Sequence, residues 1–140
     1  MAKFEEIFED IEESFVEFIK LTNGLNDVNI KIIANNSLKE IGNVVKATDL
    51  VKYMVDQDVI IILNQNVFEK LDAPAQIMVI EELVARIYFD AEKGQVKIIK
   101  PDVVGFSLVI QKYGFDNYMR TQILIKEIFA QEAEIEAEAE

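Results

Sequence analysis

"DVIIILNQNVFEKLDAPAQIMVIEELVARIYFD", residues 58–90, is the stretch on which the architecture turns. It opens with Val59–Leu63, a run of β-branched residues and leucine with no polar alternation. That pattern belongs to a strand covered on both faces and placed inside a sheet. "QNVFEKL" follows as a short helix or turn. Asp72 then stands as an N-cap, Pro74 is tolerated in the first turn, and an amphipathic helix runs on to a stop near Gly94. Upstream, "VNIKIIA" (28–34) alternates and is rich in β-branched residues, which predicts a strand. "NNSLKEIGN", with Gly42, suits a turn or a short irregular segment, and "VVKA" (44–47) predicts a second strand. Thr48 caps a short helix over "TDLVKYMV". Ahead of all these, Phe4, Ile7, Ile11, Phe15, Phe18 and Ile19 recur at helical spacing, so residues 3–21 read as an amphipathic helix closed by "TNGLND". Downstream, "QVKIIK" (95–100) predicts a strand. "PDVVGFSLVIQKYG" (101–114) predicts a helix from Pro101 to Gly114, and "DNYMRTQILIKEIFAQ" (116–131) a last long helix. The fold class is α+β, a small β-sheet packed with about four main helices. Residues 1–131 form one domain, and "EAEIEAEAE" (132–140) reads as an acidic, mobile tail.

Half of the 140 residues are hydrophobic, enough for a real core, yet no apolar run approaches the roughly 18 residues of a membrane span. "MAKFEEIFED" lacks the apolar centre of a signal peptide, so the expected compartment is the cytosol. The net charge of −12 is unevenly placed. Residues 1–20 hold seven acids and two lysines, and residues 132–140 hold five acids and no base. Such ends repel nucleic acid phosphates and suit a basic protein surface. A simpler reading is that they only solvate the chain.

Histidine and cysteine are both absent. Imidazole general bases, nitrogen and sulfur zinc ligands, thiolates and disulfides are thereby removed. Ser14, Ser37 and Ser107 have no histidine to activate them, and the five glycines form no phosphate-cradling cluster. Carboxylates remain. Glu81 and Glu82 sit about 100° apart on a helix, so they do not face one another. With Asp90 or Asp102 they would serve a hard cation only if several oxygens converged. The plainer reading is a pair of surface acids, with Glu82 pairing Arg86 one turn on, and Asp102 favouring the first turn of its helix. Tyr113, Phe115 and Tyr118, clustered around Gly114, read as core rather than as a ligand box.

Residues 58–114 resemble a phage metallopeptidase family with a zincin-like fold. That family has an apolar strand, a helix bearing H-E-L-x-H, a short strand, then H-D-x-x-x-F and a helix ending in Y-G or H-G. Glu82 and Leu83 fall on its Glu-Leu, Asp102 and Phe106 on its later Asp and Phe, and Tyr113 with Gly114 on its closing pair. The likeness extends upstream through "VVKATDLVKYMVDQDVIIILN" and covers roughly residues 40–115. At the three positions where the family has zinc-binding histidines, this chain has Glu81, Ala85 and Pro101. The resemblance therefore implies a degenerate member in which Glu81, Glu82, Ala85, Pro101 and Asp102 mark vestigial positions, with no catalytic residues, no metal and no cofactor.

The expectation that follows is a non-catalytic phage protein, acting as an inhibitor or a DNA mimic. It would bind a host or phage protein with a basic surface through Glu5, Glu6, Glu9, Asp10, Glu12 and Glu13 at one end and Glu132, Glu134, Glu136 and Glu138 at the other. Neither nucleic acid nor membrane is an expected direct partner. The setting is the host cytoplasm or the virion. The alternative is an assembly component that forms a homo-oligomer through apolar helix faces, suggested by Phe4, Phe8, Phe15 and Phe18 in one segment. A carboxylate enzyme using Mg²⁺ or Mn²⁺ is the third possibility.

Overall fold

The computed structural model describes residues 4–22, 24–25, 27–99 and 112–139. Val59–Leu63 forms a strand, β4, at the inside of a four-stranded sheet. The others are β1 (Glu5–Glu6), β2 (Ile30–Ala34) and β3 (Gly42–Lys46), in the order β1-β2-β4-β3. β4 runs parallel to β2, from Ile30 opposite Val59 to Ala34 opposite Leu63. It runs antiparallel to β3, from Gly42 opposite Leu63 to Lys46 opposite Val59. Val59, Ile61 and Leu63 are fully buried, while Ile60 and Ile62 on the opposite face are half-buried. The covered face packs against α1 (Glu9–Leu21), α3 (Gln65–Glu69) and α4 (Ala73–Ala85). α2 (Asp49–Val55) joins β3 to β4, with Thr48 accepting the Val51 N–H at 3.3 Å. α5 spans Phe115–Ala139. The architecture is mixed α+β, as the residue pattern predicts. Among the described residues, no helix is long and apolar enough to cross a membrane.

Several boundaries differ from the sequence reading. The N-terminal helix starts at Glu9 rather than near residue 3. Glu5 and Glu6 instead pair antiparallel with Ala34 and Ile33, because the flank of β2 offers backbone partners. Phe8 marks the break: its backbone is extended, and its N–H donates to Gln65 Oε1 at 2.7 Å. Glu9, Asp10 and Glu12 then favour the positive end of α1.

The long helix from Asp72 stops at Ala85, not near Gly94. Ile87–Asp90 forms β5 and pairs with β6 (Gln95–Ile98), Ile87 opposite Ile98 and Asp90 opposite Gln95. Asp90 Oδ1 accepts the N–H groups of Glu92 and Lys93 at 3.1 and 3.3 Å, and Gly94 takes a φ of +61°. That turn gives "IYF", three residues suited to a strand, a pairing partner the helix cannot offer.

Gly42 lies in β3 rather than in a turn. A Cβ there would meet Leu83 Cδ1 at 2.8 Å and the Ile62 carbonyl oxygen at 3.1 Å, so the glycine is what lets α4 approach the sheet. Apart from its end at Lys112–Gly114, the helix expected over 101–114 lies outside the described residues. The acidic segment from residue 132 continues α5 as helix to Ala139, with Glu132 paired to Lys70.

Asp58 closes the start of the β2–β4 pair. Its carboxylate accepts the Asn29 N–H at 2.9 Å and pairs with Lys52 at 2.9 Å. The Asn29 N–H is the main reason its carboxyl titrates below the ordinary 3.8; burial opposes the shift, and the Lys52 bond and charge add to it. A depressed carboxylate stabilises the fold above the unfolded-state value, and the benefit is lost as pH falls through the folded one. Melting temperature is therefore expected to drop below about pH 4, and Asp58→Asn to flatten that part of the profile while lowering the plateau above it. An unchanged acid limb in the variant would remove Asp58 from the account.

Candidate functional site

α4 carries the carboxylate pair. Its start follows from sequence: Asp72 Oδ1 accepts the Ala75 N–H at 3.0 Å, and Pro74 lies in the first turn. Leu83, Val79 and Ala75 bury one side of the helix against the sheet. Glu81 is then turned toward the segment that precedes α5. Far from being a surface acid, it is only 8% exposed. Lys112 Nζ donates to Glu81 Oε1 at 2.5 Å, and the Tyr113 hydroxyl bonds to the same carboxylate. The Lys112 ammonium also lies 5.3 Å from the centre of the Tyr113 ring. Glu82 is paired as its spacing suggests: Arg86 Nη2 donates to Glu82 Oε1 at 3.3 Å, with both side chains largely covered.

The surrounding aromatics complete the cluster. Tyr118 is buried with Met78 and is core, as expected; Tyr113 packs beside them half-buried, and the Phe115 side chain lies outside the described set. Burial is the first cause that pushes the Tyr118 hydroxyl up to about 12; the Glu82 charge adds to this and Arg86 opposes it. Tyr113 is also pushed up, by burial first and then by its bond to Glu81 and that group's charge. Both phenols thus stay neutral donors beside two carboxylates, each of which already holds one of the chain's own cations.

Zinc requires nitrogen or sulfur donors in its usual tetrahedral sites, and the chain has no histidine or cysteine to give. Ala85, one turn from Glu81, has no donor at all. Among the described residues, no three Asp or Glu side chains converge as a hard cation would need. The residues present do not fit a zinc centre. Pro101 and Asp102 lie outside the described residues. Lys112 was not evident as a site residue from sequence. Its one signal is that it is the single base in residues 101–113, the segment a buried glutamate would need to recruit from.

The acids proposed as a partner surface fall in two places. Glu5 and Glu6 are exposed on β1, and Glu9, Asp10, Glu12 and Glu13 are exposed on α1. Glu132 is half-buried against Lys70, and Glu134 is exposed on α5. Glu136 and Glu138 follow on the same helix, and their side chains lie outside the described set. Both acidic segments touch α3, one through Phe8 and Gln65, the other through Glu132 and Lys70 beside it.

Residues 3–129 match the model of a family described as "Putative phage metallopeptidase". No curated protein and no solved structure matches the chain. The family match spans the sheet, α4 with its carboxylate pair, and most of α5, so the chain belongs to this phage metallopeptidase family.

Proposed function

We propose that this chain is a non-catalytic phage protein that keeps a metallopeptidase scaffold and acts by binding a basic protein in the host cytoplasm, as an inhibitor or a DNA mimic. The observation that carries the first half is the closure of the carboxylate pair. Lys112 and Arg86 supply the positive charge beside Glu81 and Glu82 that a metal would otherwise bring. The lack of imidazole and thiol supports the same reading. The second half rests on charge: the acids at both ends favour fast, salt-sensitive association with a positive surface.

Zinc titrated calorimetrically into the purified chain is expected to give no saturable heat, and peptidase assays no turnover. A tight isotherm together with turnover lost on chelation defeats the reading. For the partner, complexes recovered from host cells should weaken as salt rises. They should weaken further when Glu9, Glu12 and Glu13 are changed to glutamine. Complexes indifferent to both argue against the electrostatic mechanism.

One observation favours the assembly alternative. α2 buries none of its residues, and it exposes Leu50, Met54, Val55 and, at 89%, Tyr53. Were this helix a subunit contact, sedimentation would show a concentration-dependent oligomer that Tyr53→Ser disperses.

A further inference from the structure

The acidic ends leave one apolar surface unexplained. An open groove of about 700 Å³ is lined by α1 and α4. Phe18 and Leu21 line it from α1, and Ile77 and Ile80 from α4, each pair at the three-residue spacing of a helix face. Leu21 is 82% exposed and Ile77 is 51% exposed, which is costly for large apolar side chains on facing walls. Ser14 stands in the α1 stripe where a bulky residue would fill the gap. Its hydroxyl donates to the Asp10 carbonyl at 3.1 Å, so the small side chain widens the groove without presenting an unmet polar group.

The groove's polar margin has one sign. Asp10, Glu17 and Glu69 line it, and among the described residues no lysine or arginine does. Asp10 and Glu17 are seven residues apart, so they lie on the same edge of α1, roughly 10 Å apart along its axis. A second copy of the chain, at a net charge of −12, is a poor occupant. We infer that the α1–α4 groove docks an amphipathic helix of a partner protein, with apolar anchors at i, i+3 or i+4, and i+7 seated between Leu21 and Ile77, and lysines or arginines flanking them that meet Asp10, Glu17 and Glu69. This rests on the reading of the chain as a binder of basic proteins and narrows it to one surface and one secondary structure.

The probe is a fluorescent synthetic helix of about 18 residues, with leucines at those anchor positions and lysines elsewhere. A scrambled peptide of identical composition serves as the comparison, and binding to the full chain is read by anisotropy at low and at high salt. The patterned peptide is expected to bind more tightly than the scrambled one, the gap persisting at high salt. The uncharged double change Leu21→Ser with Ile77→Ser should weaken it about tenfold or more, since both positions are exposed in the free chain and lose only partner contact. Glu92→Gln, exposed in the β5–β6 turn and not part of the groove lining, should cost less than about twofold. Equal binding of the two peptides, or a serine variant that binds as wild type at high salt, overturns the groove while leaving attraction to basic surfaces intact. No binding of either peptide at low salt overturns both readings. A self-association that the serine variant abolishes assigns the groove to a second copy and also overturns the proposal.

Discussion

Phe15→Ala is expected to remove about 3–5 kcal/mol of stability, a large part of the roughly 5–15 kcal/mol that holds a domain of this size. Phe15 has no exposed surface. Its ring meets Phe68 of α3 at a centroid distance of 6.4 Å and a tilt of 35°. The pair belongs to the same buried cluster as Val79 and Leu83 of α4 and the covered face of β4. Truncation leaves a hole lined by rings and branched aliphatics, which cannot collapse without moving α1. The midpoint of thermal unfolding should fall by about 10–20 °C. Leu21→Ala, at the exposed end of the same helix, should stay within about 0.5 kcal/mol. Urea denaturation of both variants checks the contrast, and similar small losses for the two would mean that α1 is not anchored through Phe15.

The second large effect is asymmetric. Lys112 and Glu81 form one ion pair, but the lysine side chain is 60% exposed and the glutamate side chain 10% exposed. Losing the glutamate frees a cation that water already reaches. Losing the cation strands a buried carboxylate beside the Tyr113 hydroxyl. Lys112→Met should therefore cost about 1–3 kcal/mol, the desolvation of an unmatched charged acceptor. Glu81→Leu should lie within about 1 kcal/mol of wild type, because an apolar replacement of a buried ion pair is often neutral. In the Glu81→Leu background, Lys112→Met should cost almost nothing. A double-mutant cycle by urea denaturation measures the coupling, and additive losses would show that the pair does not hold this helix.

What could be read from sequence follows the range of the forces involved. β4 was legible because five apolar residues in a row suit a flanked strand, whatever surrounds them. The start of α4 was legible because Asp72 and Pro74 act on their immediate neighbours. Its end was not, because "VARIYFD" satisfies a helical period and no breaker stands before Gly94. Pairing with β6 decides the matter, and that is a tertiary contact. β1 was hidden for the same reason: Phe4, Ile7 and Ile11 continue the helical spacing, and only β2 takes Glu5 and Glu6 out of it. Gly42 read as a turn residue, whereas its role is to make room for Leu83. The Glu81–Glu82 pair stood out at once. Its partner Lys112 comes from 31 positions away, and nothing local pointed to it.

The two-residue β1 also bears on how the chain behaves when crowded. A sheet's outermost strand is a template on which another molecule can add its own, the first step toward fibrils. Beside β2, with its sequence Ile-Lys-Ile-Ile-Ala, that hazard is real. β1 occupies only the positions opposite Ile33 and Ala34, and it brings two exposed carboxylates with it. An incoming β-rich segment from a second, equally acidic copy meets negative charge before it meets free backbone, so these glutamates act as gatekeepers against self-templated growth.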